Sequence, residues 1–128
     1  MRPRSFGTVS PRPGPASLAG TDPTGTSREL TFDAPTLVLV VKPGCESCGP
    51  FLGGAPALDG ASVVVVSAHV GPWPQATAVW RAPAWLRRWE VDLAPHYLLV
   101  EPRGPVIIAE GALLDWEQVL EEIGAARA

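Results

Sequence analysis

Residues 36–52 read TLVLVVKPGCESCGPFL, and the rest of the chain is understood outward from them. Thr36 to Val41 is an almost continuous run of β-branched and leucine residues, ended by Lys42, Pro43 and Gly44. A short apolar run bounded by turn residues predicts a strand buried on both faces. Cys45-Glu46-Ser47-Cys48 follows, at the expected first turn of a helix that Pro50 can join, because proline is tolerated there. A buried strand that delivers a C-x-x-C pair to a helix start is the layout of a thiol–disulfide site.

Downstream, Gly53, Gly54 and Pro56 predict that this helix is short and ends by Asp59-Gly60. Ser62 to Ser67, SVVVVS, predicts a central strand, since four consecutive valines imply burial on both faces. Residues 69–90 hold Trp73, Trp80, Trp85 and Trp89. Gln75 to Ala82 is expected to be helical, with Pro83 opening a second turn through Trp89. The tryptophans are expected chiefly as cover over a sheet, with a partner surface as the alternative.

Tyr97–Val100 and Val106–Ala109 are apolar runs joined by the turn residues of Glu101-Pro102-Arg103-Gly104-Pro105, which predicts an antiparallel hairpin. Asp115 is placed to cap a last helix, with Gln118 at the capping-box position and Leu114 and Val119 as a staple. Leu113, Trp116, Val119, Leu120 and Ile123 form its apolar stripe, Glu117, Glu121 and Glu122 lie elsewhere, and Gly124 is expected to end it.

Residues 1–28 contain five prolines and four glycines with only scattered apolar side chains, which predicts a flexible tail ahead of a domain over 29–128. Glu29 to Phe32 reads as a short lead-in strand. Across the 128 residues, 46% are hydrophobic and 18% charged, which suits one globular domain. The net charge of −3 is uneven: residues 1–28 carry +3 and residues 29–128 carry −6. An acidic globular part argues against nucleic acid as the main ligand. No run approaches the roughly 18 apolar residues of a membrane span, so no membrane partner is expected. The first residues have arginines but no apolar core of a signal peptide, and a cytoplasmic location is the expectation. Two closely spaced cysteines would staple almost nothing as a structural disulfide, which again favours reactive thiols.

The order strand, C-x-x-C helix, strand, helix, hairpin, helix predicts an α/β fold: a mixed sheet with helices on both faces. Here the chain resembles the thioredoxin superfamily. Trp89-Glu90-Val91-Asp92-Leu93-Ala94-Pro95 is similar to that family's aromatic-x-Ile/Val-x-x-x-Pro run. His96 to Val106 looks like its closing hairpin, Glu110-Gly111-Ala112-Leu113 resembles its V-G-A-L segment, and Pro56-Ala57-Leu58 is similar to the P-x-L of TlpA-type reductases. The likeness covers roughly residues 35–124. It implies a thioredoxin-like mixed sheet and a cis-Pro95 opposite the cysteines. Two departures stand out: Gly44 occupies the place of the family's tryptophan, and Leu39 that of its buried carboxylate.

In this layout Cys45, at the helix tip, is the expected nucleophile and Cys48 the resolving thiol. Glu46 opposes a second negative charge on Cys45, which favours a reducing or weakly active couple over a strong oxidant. Lys42 and His96 could counter that effect if they approach the thiolate. The expected activity is thiol–disulfide exchange with a disulfide-containing protein or a low-molecular-weight thiol; it needs no cofactor, and the sequence names no electron donor. A non-catalytic thioredoxin-like interaction module is the alternative. A metal site joining Cys45 and Cys48 to His69 or His96 is a weaker one, because the ligand spacing of zinc sites is missing.

Overall fold

The computed structural model describes residues 11–74 and 77–127. Its centre is an eight-stranded mixed sheet in the order β1-β8-β7-β4-β5-β6-β2-β3. The strands are β1 (Arg12–Pro13), β2 (Ser17–Thr21), β3 (Ser27–Thr31), β4 (Thr36–Val40), β5 (Ser62–Ser67), β6 (Val79–Arg81), β7 (His96–Glu101) and β8 (Val106–Ala112). Three helices complete the fold: α1 (Gly49–Leu52), α2 (Pro83–Arg88) and α3 (Trp116–Arg127).

The strand that carries the cysteines is central, as its sequence demands. All five residues of β4 are buried. It pairs in parallel with β5, Thr36 opposite Ser62 through Val40 opposite Val66, and a further bond from Val41 N–H to the Val66 carbonyl prolongs the ladder. On its other edge it pairs antiparallel with β7, from Thr36 opposite Val100 to Val40 opposite His96. The hairpin β7–β8 forms as its turn residues require, with a bulge where the register steps from Leu99 opposite Ala109 to Val100 opposite Ile107.

Strand alternation divides the core in two. Val38, Val40, Val64, Val66, Leu98 and Val100 face one cluster, joined by Leu18, Trp80, Trp85 and Leu86. Leu37, Leu39, Tyr97 and Leu99 face the other, beneath Phe51 of α1 and Val119 and Ile123 of α3. Helix α3 starts as read: Asp115 Oδ1 accepts from Gln118 N–H at 2.7 Å, while the Gln118 side chain reaches back to Leu114 N–H at 3.0 Å.

The expected thioredoxin-like α/β layering, with helices on both faces, does not form. The sheet is a curled half-barrel and helix accounts for only 22% of the structure. The cause lies in two segments. Residues 12–31, expected mostly as tail, supply β1, β2 and β3, with Leu18 wholly buried and Trp85 Nε1 donating to the Ser17 carbonyl at 2.7 Å. Their turn is built on Asp22, whose carboxylate accepts from Thr24 and Thr26 N–H, the Thr24 hydroxyl and Arg28. The Thr24 hydroxyl bond comes first among the causes that hold this carboxyl down to about 2. The other segment is the helix expected over Gln75–Ala82. Gln75 and Ala76 lie outside the described residues, and Val79–Arg81 is instead strand β6, parallel to β5. With these additions the sheet reaches eight strands, and residues expected as tail or helix are strand instead. Residues 1–10 of the expected tail lie outside the described residues.

Two smaller expectations also change. Gly124 does not end α3, which runs on to Arg127, and Glu122, read as lying off the apolar stripe, is nonetheless buried. Its carboxylate accepts from the Tyr97 hydroxyl at 2.5 Å and from Gln118 Nε2 at 3.0 Å.

Candidate functional site

Three loops meet at one end of the sheet. Residues 41–48 leave the carboxyl end of β4, residues 68–74 leave that of the parallel neighbour β5, and residues 89–95 lead into β7, whose first residue pairs with Val40. The carboxyl ends of parallel strands are where open sheets place ligands.

In the first loop, Gly44 has φ of 71°. That left-handed conformation costs a side chain roughly 1–2 kcal/mol, which accounts for glycine where the resemblance would put tryptophan. Cys45 then precedes a single 3₁₀ turn, Glu46–Cys48, which runs directly into α1. Phe51 anchors this short helical stretch in the core, and α3 clamps it from outside. The Phe51 and Trp116 rings lie 5.1 Å apart, and Trp116 Nε1 donates to the Pro50 carbonyl at 3.0 Å.

Cys45 is half-buried and Cys48 completely buried, both as free thiols. They approach to about 2.6 Å. Burial pushes the Cys48 thiol up to about 11, with its hydrogen bond to Cys45 adding to the rise. The Lys42 backbone and the Lys42 charge pull weakly the other way. The pair is therefore asymmetric: Cys45 is reachable, while Cys48 is packed beneath it against Val41 and Val79 and holds its proton.

Pro95 follows a cis peptide bond, as the resemblance implies. The β4–β7 register puts it one position beyond His96, hence beside Val41 at the end of the strand that delivers the cysteines. Its carbonyl accepts from Leu113 N–H at 3.2 Å. The loop before it is held at both ends. Helix α2 stops in a Schellman arrangement, with Glu90 at φ 59°, Glu90 N–H on the Arg87 carbonyl and Val91 N–H on the Leu86 carbonyl. Arg12 of β1 then donates to the Trp89 carbonyl at 2.8 Å and grips Glu110 with two bonds of 2.8 and 3.1 Å.

The other expected modulators fall on different sides. Glu46 is exposed at the rim beside Cys45. Lys42 is exposed, and its charge bears on Cys48. His96 is engaged elsewhere: its Nε2 lies 3.9 Å from Glu110, and the charges that act on it are those of Glu110, Arg12 and Asp92. Burial outweighs the pull of Glu110 and holds this imidazole below its usual range. Among the described residues no three His, Cys, Asp or Glu side chains converge to hold a metal ion, so neither His69 nor His96 completes a site with the cysteines.

One feature of the site was not anticipated. Cys45 opens onto a groove of about 580 Å³, whose far wall is Pro72, Trp73 and Pro74 from the loop after β5. Gly71–Pro72 is a second cis bond, and a Cβ on Gly71 would lie 2.9 Å from the Trp73 ring, so glycine lets the indole fold back over it. The tryptophan-rich composition pointed to this segment, but only the β4–β5 pairing brings Trp73 to Cys45. Of the other tryptophans, Trp80 and Trp85 are core, as expected.

The chain matches no protein-family model, no curated protein and no solved structure. Among the described residues no helix is long and apolar enough to cross a membrane.

Proposed function

We propose that this protein is a thiol–disulfide oxidoreductase in which Cys45 attacks and Cys48 resolves. The observation that carries the reading is the asymmetry of the pair: two free thiols in contact, one half-exposed at a groove and the other buried and held protonated up to about 11. Exchange needs these two roles. The Cys45 thiolate attacks one sulfur of a substrate disulfide, forming a mixed disulfide and releasing the other sulfur as a thiolate that takes a proton from solvent. The Cys48 thiol then attacks Cys45 Sγ, its proton passing to the departing substrate sulfur. That closes the Cys45–Cys48 disulfide and releases the second substrate thiol, two electrons having passed to the substrate. An external thiol or dithiol returns the pair to its reduced form.

Pro95, set beside the end of β4, borders the thiols, and having no N–H it does not extend the β4–β7 ladder towards them. The local likeness of Cys45-x-x-Cys48 and Pro95 to the thioredoxin superfamily supports the same chemistry, although the surrounding sheet is differently built. A reducing role fits the cytoplasm, where thiols are kept reduced. The test is turnover of 2-hydroxyethyl disulfide and of insulin with dithiothreitol as electron donor. Turnover that disappears in Cys45→Ser supports the reading; equal rates in wild type and Cys45→Ser would reject it and leave a binding module.

A further inference from the structure

We infer that the groove beside Cys45 selects polypeptide disulfides whose reacting cysteine is flanked by apolar, uncharged residues, and that Trp73 and Glu46 set this choice. The inference rests on the exchange reading above and specifies its substrate class.

The groove adjoins the sulfur that would carry the mixed disulfide, so its occupant is whatever the substrate cysteine is attached to. It is a wide-open groove of about 580 Å³, more than a cysteine alone requires, so residues flanking the substrate cysteine lie along it. Its walls are Pro43, Leu52, Pro72, Trp73 and Pro74, and among the described residues the one ionisable side chain on it besides Cys45 is Glu46. Leu52 and Trp73 also pack against the cluster that holds Cys48, so the walls and the thiols form one unit. The base of the Trp73 loop is tied to α1 through the Thr77 hydroxyl, which donates to the Leu52 carbonyl at 2.7 Å.

This lining discriminates by chemistry. A neutral apolar side chain next to the substrate cysteine would bury surface against the indole and the prolines. An anionic thiol carrying its own carboxylates, glutathione being the common case, finds no cation on the walls among the described residues and meets Glu46 at the rim. Lys42, the single lysine, is exposed and does not line the groove.

The experiment compares kcat/KM, with dithiothreitol as donor, for four disulfides: 2-hydroxyethyl disulfide, oxidised glutathione, and two short peptide disulfides with leucine or aspartate flanking the cysteine. The leucine peptide should be favoured over the aspartate peptide and over glutathione by about tenfold. Trp73→Ala should cut the ratio of leucine peptide to 2-hydroxyethyl disulfide by about tenfold, with Trp73→Phe restoring most of it. Glu46→Gln, at an exposed position, should narrow the gap to the aspartate peptide and glutathione by about two- to fivefold. Turnover of 2-hydroxyethyl disulfide with glutathione preferred, or with a peptide ratio unmoved by both variants, overturns this inference and leaves the exchange activity standing. No turnover of any disulfide overturns the exchange activity itself and this inference with it.

Discussion

Removing the Tyr97 hydroxyl tests how much the buried Tyr97–Glu122 hydrogen bond adds to the packing that fastens α3, and through it the helical stretch that carries the cysteines, to the sheet. Tyr97 is wholly buried on β7, and its hydroxyl donates at 2.5 Å to the Glu122 carboxylate, itself buried on α3. In Tyr97→Phe the ring remains, but Glu122 Oε1 keeps only Gln118 Nε2, at 3.0 Å, among these two partners. A buried hydrogen bond to a charged group contributes about 1.5–3 kcal/mol, and an acceptor left short of partners puts the cost toward the upper end. For a domain of this size that corresponds to a fall in Tm of about 5–12 °C. Urea unfolding of wild type, Tyr97→Phe, Glu122→Gln and the double variant gives both the cost and the coupling. The two single losses should exceed what the double variant loses by at least ~1 kcal/mol. A Tyr97→Phe loss below about 0.5 kcal/mol, or strict additivity, would refute the assigned role of this bond.

Three further outcomes follow from the same physics. Phe51→Ala removes the wholly buried ring under α1 and its contact with Trp116, and should cost about 3–5 kcal/mol in chemical denaturation. In the reduced protein, the unfolded chain releases the Cys48 proton from about pH 8.5 while the folded protein keeps it up to about 11, so the unfolded state binds fewer protons there. Stability should therefore decline as pH rises through that window, and the decline should be shallower in Cys48→Ser. Asp22→Ala takes four hydrogen bonds from the β2–β3 turn, so amide exchange in β2 and β3 should accelerate selectively while β4 and β5 stay protected.

The legible part of the fold was the part that its own sequence forces. The valines of β5, the apolar run of β4 and the turn between β7 and β8 admit one reading, and Asp115 with Gln118 marks the start of α3 plainly. The illegible part depends on neighbours. Ser17–Thr21 carries few apolar residues, and the proline-rich surroundings outweigh them in composition; it is a strand because Leu18 and the Asp22 turn are completed by β6 and α2, whereas β3, at Ser27–Thr31, is legible in part as the lead-in strand Glu29–Phe32. The Asp22-Pro23-Thr24-Gly25 turn was a signal available to find them. Val79–Arg81 follows an alanine-containing segment of helical composition and becomes a strand only because β5 offers a parallel edge. Helix α3 passes Gly124 because the following alanines favour helix enough to absorb a glycine. At the site, the spacing of Cys45 and Cys48 was visible and the asymmetry of their burial follows from β4. The groove was not visible, since Trp73 and Cys45 are brought together by sheet pairing and nothing local links them.

The most direct test of the two-cysteine scheme is trapping. Cys48→Ser, incubated with a peptide disulfide, should accumulate a mixed disulfide on Cys45 that intact-mass and peptide mapping locate, whereas Cys45→Ser should accumulate little or none on Cys48. Equal trapping on either cysteine, or none in Cys48→Ser, would contradict the division of labour on which the account stands.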